Sequence, residues 1–258
     1  MKKLSLLILL CVAIFSVSVF SQASDEDTST REQLVSIKQQ LTTAVNIVDR
    51  QEIARIAYGL NRFFEDQETS KYARYYAAYA WYRLGTLPTE DGSEPKSEWL
   101  DTAVDHLKKA IETDRDFAEA HALLSSVYGM KASGVFSGMK YGPKAQSAID
   151  KSIALSPYNP RIYLIDGIGT FFKPSMFGGG TDKALKLFQK SASLFDEYQP
   201  ASALAPSWGH AEVYAWIGQV YEKKEQIGKA KEAYQKALDI DPNYGWVKYS
   251  LLPGLTSN

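Results

Sequence analysis

From residue 24 onward, apolar positions recur three and four residues apart, and no stretch alternates apolar and polar residues over the length of a strand. That periodicity predicts helices throughout. Two amphipathic helices are expected first, at about 31–43 and 50–66. Ser29 with Glu32 three residues later forms the pairing that caps a helix start, and it opens the first of them.

The clearest pattern runs from Ala211 to Asn243. It places Ala211, Tyr214, Ile217-Gly218 and Tyr221 in one helix, then Ala230, Tyr234 and Ala237 in a second, with Pro242 behind them. Small residues (Gly218, Ala230, Ala237) let two antiparallel helices approach, and large ones (Tyr214, Tyr221, Tyr234) fill the gaps. Pro242 cannot continue the second helix. The second-helix pattern recurs upstream at Ala103, Leu107 and Ala110. It recurs again at Ala145, Ile149, Ser152 and Pro157, and at Ala184, Phe188 and Ser191.

This order of aromatic, small and proline positions resembles the tetratricopeptide repeat, a helix-turn-helix unit of about 34 residues. The resemblance runs from about Lys71 to Leu252 and implies an all-α solenoid of about four repeats. The N-terminal helices (24–70) would precede it, and a short capping helix (244–252) would cover its last face. First helices are expected at 71–85, ending in Trp81-Tyr82-Arg83-Leu84-Gly85, at 118–128 and at 160–172. The leading alanines of the second helices lie 42, 39 and 46 residues apart. Each spacing exceeds the period of about 34, so the repeats are interrupted.

Extra residues fall at 86–98, 131–142 and 173–181, between the two helices of three successive repeats. In a solenoid these turns share one edge, a usual place for a binding rim. The first insertion is polar. The others carry Val135, Phe136, Met139 and Tyr141, and Met176 and Phe177. Apolar residues in a loop need something to pack on. Two readings fit: they fold back onto neighbouring helices, or Phe136, Met139, Met176 and Phe177 form a lid over the concave groove. The segment Met176-Phe177-Gly178-Gly179-Gly180-Thr181 resembles a glycine-rich turn of exported bacterial repeat proteins associated with TRAP-type transporters. With Thr181 as N-cap it suits either a tight turn needing positive φ or an anion held on backbone N–H groups.

The resemblance also implies that first helices line a concave face where ligands lie. In the first repeat that face carries Tyr72, Tyr75, Tyr79 and Tyr82, a continuous stripe. A register one residue away would bury these tyrosines between helices, although Ala77 and Ala78 at the close-approach positions favour the groove. The third repeat presents Arg161, Leu164, Ile168, Phe171 and Phe172. The second presents Glu119, Ala122, Ser126 and Met130, and the fourth Glu212, Ala215, Gln219 and Glu222. Such a groove suits an extended peptide or an amphipathic small molecule, with Arg161 as the anion partner.

The N-terminus changes where this solenoid is expected to work. Lys2-Lys3, an apolar stretch from Leu4 to Phe20 and Ser21-Gln22-Ala23 read as a signal peptide (1–23). An exported protein, periplasmic or secreted, follows. A retained anchor and a lipid on Cys11 are the alternatives. Cys11 is the only cysteine, so the chain after residue 23 has no thiol or disulfide chemistry. The formal net charge of −1 becomes −3 without Lys2 and Lys3, which excludes the basic excess of a dedicated nucleic-acid binder.

Catalytic motifs do not support chemistry. His106, His121 and His210 are scattered, and no metalloprotease, phosphate-loop or serine-hydrolase motif occurs. Ser137-Gly138-Met139-Lys140 matches a nucleophile motif without its companion motifs. The expectation is a non-enzymatic module with no cofactor or metal that binds an envelope or secreted protein or peptide through its groove. The alternative is a periplasmic small-molecule binding protein serving uptake.

Overall fold

The computed structural model describes residues 30–87 and 97–256. The signal segment (1–23), Cys11, the Ser29 cap and most of the first insertion lie outside them. Every regular element among the described residues is helical. Helix α1 spans 30–46. Helix α2 (Arg50–Gly59) is capped by the Asp49 carboxylate, which accepts from the Glu52 N–H, and tightens into a 3-10 turn at Leu60–Phe63. Four hairpins follow: α3 (Ser70–Thr86) with α4 (Ser97–Thr113), α5 (Ala118–Lys131) with α6 (Val135–Leu155), α7 (Pro160–Phe172) with α8 (Thr181–Glu197), and α9 (His210–Lys223) with α10 (Ile227–Ile240). A π-helical stretch (Trp246–Leu251) and α11 (Leu252–Thr256) close the chain, in place of a plain capping helix.

The small and large positions do what their sizes dictate. A Cβ on Gly218 would come within 2.2 Å of the Tyr234 ring, and one on Gly167 within 2.5 Å of Phe188. The two helices of each of these hairpins meet at a glycine facing an aromatic ring, a fit that one added methyl would destroy. Ser152 and Ser191 stand in equivalent places on α6 and α8. Each donates to the carbonyl at the start of its partner helix, Ser152 to Ala118 (2.7 Å) and Ser191 to Pro160 (2.8 Å). These two hydroxyls are buried, and each bond satisfies its donor inside the core.

Two insertions take forms that loop chemistry does not suggest. Residues 135–142 are the first two turns of α6, which runs 21 residues and carries Pro143 inside it. A proline inside a helix removes one backbone hydrogen bond, a loss that this long helix accommodates. Residues 173–180 form a 3-10 turn at Ser175–Phe177 followed by Gly178 (φ 90°) and Gly180 (φ 125°). Gly178, Gly179 and Gly180 donate their N–H groups to Ser175, Pro174 and Thr170 carbonyls, so the triple glycine makes a tight turn and leaves those donors satisfied by the chain itself. Gly180, not Thr181, occupies the N-cap.

The spacing of 46 between Ala184 and Ala230 has a different origin. Its excess is the connection from α8 to α9 (198–209), between repeats rather than within one. This segment enters the concave face. The N-terminal helices also reach the last repeat. Asn46 at the end of α1 hydrogen-bonds Asp241, and a Cβ on Gly245 would lie 2.3 Å from the Asn46 carbonyl oxygen. The N-terminal helices and the C-terminal end of the solenoid therefore touch.

Candidate functional site

The tyrosines of the expected stripe are buried or partly buried rather than open to solvent. Tyr75, Tyr79 and Tyr82 are buried, as are Arg161 and Leu164. Tyr72, Met130, Ile168 and Phe171 are partly buried against the same core, and Phe172 stands 69% exposed at the end of α7. The cover is the 198–209 segment, whose Leu204, Ala205 and Trp208 are themselves buried.

The segment is held mostly by its backbone. Lys38 Nζ on α1 donates to the Ala203 and Ala205 carbonyls, both at 2.8 Å. Tyr76 Oη donates to Leu204 O (2.7 Å), and Arg161 Nη1 to Trp208 O (3.1 Å). Trp208 adds a side-chain anchor. Its indole stacks on Tyr79 with centroids 4.8 Å apart, and its Nε1 donates to Tyr75 Oη at 3.1 Å. Gly209 (φ 112°) ends the segment where a Cβ would come within 3.0 Å of both Phe195 and Leu164.

Both arginines around the segment are paired with carboxylates. Arg161 Nη2 meets Glu119 Oε1 at 3.0 Å, and its guanidinium lies 4.6 Å from the Tyr198 ring centre. Arg83 pairs with Glu212 and faces the Tyr79 and Trp208 rings at 5.0 and 5.6 Å. Both carboxylates are thus bound to arginine, which leaves no free acid–base pair between them. Burial pushes the Tyr75, Tyr76, Tyr79 and Tyr82 phenols above their ordinary range, so they stay protonated hydrogen-bond donors. Burial lowers the Lys38 ammonium, and the Arg161 charge lowers it further.

The remaining sequence candidates are dispersed. His106 packs on Phe64 with ring centres 5.1 Å apart, His121 Nε2 lies 3.1 Å from Arg115 O, and His210 stacks on Phe195. Among the described residues no group of three or more His, Cys, Asp or Glu could hold a metal ion. Ser137 Oγ accepts from the Gly134 N–H and donates to its carbonyl, a local turn contact. A cleft of about 240 Å³ lies elsewhere, between α1 and α2, lined by residues such as Gln33, Gln40, Arg55 and Arg62.

Phe136, Met139, Met176 and Phe177 do not reach the groove. They are 88, 75, 82 and 69% exposed on the turn edge, so neither expected form, a lid or packing back onto helices, describes them. The 198–209 segment is the cover that sequence reading missed. Its signal was the unassigned excess before α9, with Ala-Leu-Ala-Pro-Ser-Trp as an apolar run outside any helix.

The sequence model of the tetratricopeptide repeat matches residues 211–244. Among solved structures, the HusA haemophore from Porphyromonas gingivalis is similar at 24% identity, with a TM-score of 0.60. The match covers 73% of this chain and 92% of that one. TTC0263, a thermophilic TPR protein in Thermus thermophilus, is similar at 16% identity and a TM-score of 0.59, over 85% of this chain and 99% of that one. No curated protein matches the chain. At these identities the likenesses show the fold, an all-α tetratricopeptide-repeat solenoid.

Proposed function

We propose that this tetratricopeptide-repeat protein is an exported, non-enzymatic interaction module that binds an extended segment of a protein partner in its concave groove. The fold supports a protein-interaction or scaffold role. One observation supports the groove as the place. Four carbonyls of the 198–209 backbone accept hydrogen bonds from Lys38, Tyr76 and Arg161. Side chains that grip a backbone rather than particular side chains suit many peptides of similar extended shape. The chain's own segment occupies that position, so a partner peptide would bind in exchange for it. The signal segment supports export.

The test uses a labelled peptide with the sequence of residues 198–209. Its binding is followed by fluorescence anisotropy to the wild-type chain and to a variant whose 199–208 residues are a glycine–serine linker. The linker variant is expected to bind at least ~10-fold more tightly, because its groove is not already filled. Trp208→Ala, which keeps the full connection, is expected to fall between the two. Failure of both variants to bind the peptide while still folded argues against the groove reading.

A second reading, a small-molecule carrier serving uptake, draws on the likeness to a protein named as a haemophore. Native mass spectrometry of the exported protein before and after denaturation tests it. A bound small molecule released on unfolding supports a carrier, and a ligand-free mass counts against one.

A further inference from the structure

We infer that the turn edge of the solenoid is a docking surface for an anionic lipid bilayer, an interaction separate from the groove. Along this edge Val135, Phe136, Met139, Phe172, Met176 and Phe177 are between 69 and 88% exposed. Large apolar side chains exposed on two successive hairpin turns are unfavourable in water and mark an interaction surface. The edge is continuous from repeat to repeat. Lys131 on α5 pairs with Asp101 on α4, Lys173 Nζ reaches Gln146 Oε1 on α6 at 3.0 Å, and Lys224 beyond α9 pairs with Asp182 on α8.

Its charge selects the partner. Residues 131–149 contain Lys131, Lys140 and Lys144 and no carboxylate, and residues 167–181 contain Lys173 and none. The acids that border these two stretches in sequence are Asp150, Asp166 and Asp182, and Asp101 reaches them from α4. Asp101 and Asp182 are neutralised by Lys131 and Lys224. Asp150, which accepts from Gln146, and the half-buried Asp166 lie further from the turns along α6 and α7. Lys140, Lys144 and Lys183 therefore fringe the apolar tips outside any ion pair among the described residues, and Lys173 joins them with the half-buried Asp166 as its one acidic neighbour. Lys140 and Lys144 lie 5.0 and 5.7 Å from the Tyr141 ring centre, beside a half-buried amphipathic side chain suited to the headgroup level. Protein–protein interface cores are depleted of lysine. A joint lysine and Phe/Met surface is instead the composition of interfacial lipid binding, where apolar tips enter the acyl boundary and ammonium groups meet lipid phosphates.

The experiment is vesicle flotation of the protein purified from an exporting host. The vesicles are phosphatidylcholine alone or an equal mixture of phosphatidylglycerol and phosphatidylcholine. Binding is expected to the mixed vesicles only, and to weaken as salt rises. The variant F136S/M139S/M176S/F177S and the variant K140E/K144E/K173E should each lower it at least ~10-fold, because lipid docking needs both apolar insertion and surface charge. All the altered positions are exposed or half-buried, and unchanged thermal melting confirms that the fold is kept. Equal flotation with phosphatidylcholine alone, no flotation, or undiminished flotation of either variant would overturn the inference. So would a wild-type dimer that the serine variant abolishes without any vesicle binding, because the edge would then join two copies of the chain.

Discussion

Insertions of similar composition meet opposite fates in two regions of this solenoid. The 198–209 segment carries Leu204, Ala205 and Trp208 and buries all three in the concave face. The turns at 132–142 and 173–180 carry Phe136, Met139, Met176 and Phe177 and leave all four in solvent. The difference lies in where each insertion enters the repeat. The 198–209 segment, between repeats, is long enough to lie back across α3 and α7, unlike the short connections at 114–117 and 156–159. Extra residues between the helices of one repeat extend the hairpin tip, away from the core. What an insertion's apolar residues touch is thus set by topology before it is set by hydrophobicity.

That contrast can be broken from the buried side first. Trp208→Ala removes a buried ring, its stacking on Tyr79 and its hydrogen bond to Tyr75. It is expected to destabilise the protein by about 4–5 kcal/mol in urea unfolding. Arg161→Met keeps most of the side-chain volume and strands Glu119 without its partner, an expected loss of about 3 kcal/mol by the same measurement. A smaller effect depends on pH. Burial holds His106 below the usual imidazole range, partly offset by Asp105. As pH falls below about 6.5 the unfolded chain takes up that proton first, so stability should decrease from there down to the lowered folded value. His106→Leu should lack this part of the acid loss, read from urea unfolding at neutral and mildly acidic pH. At the other extreme, Phe136→Ser on the exposed edge should change stability by less than ~0.5 kcal/mol.

Much of the architecture was legible because helical pairing rests on short-range spacing. Tyr234 opposite Gly218 and Phe188 opposite Gly167 were readable as large and small positions sixteen and twenty-one residues apart in sequence. The tyrosine stripe was expected to line an open groove, whereas Tyr75 and Tyr79 pack against Trp208. Its cover was not legible. Lys38 meets Ala203 and Ala205 across 165 and 167 residues of chain, and no periodicity encodes such a distant encounter. The groove therefore looked open because each helix was read against its neighbours, while the closing contacts come from α1 and from the connection before α9. The edge was misread for a related reason. Val135 to Gly142 carries two glycines, so it resembled a loop, yet it continues α6 as helix.

The most direct test compares thiol accessibility at one position in each region. Cys11 is the only native cysteine, and a Cys11→Ser background removes it if the leader is retained. Ala205→Cys and Met139→Cys are then labelled with a maleimide under native conditions. The account predicts rapid labelling of Met139→Cys and labelling of Ala205→Cys slower by at least ~100-fold, limited by opening of the 198–209 segment. Equal rates at both positions would contradict it, since the concave groove would then stand open in solution.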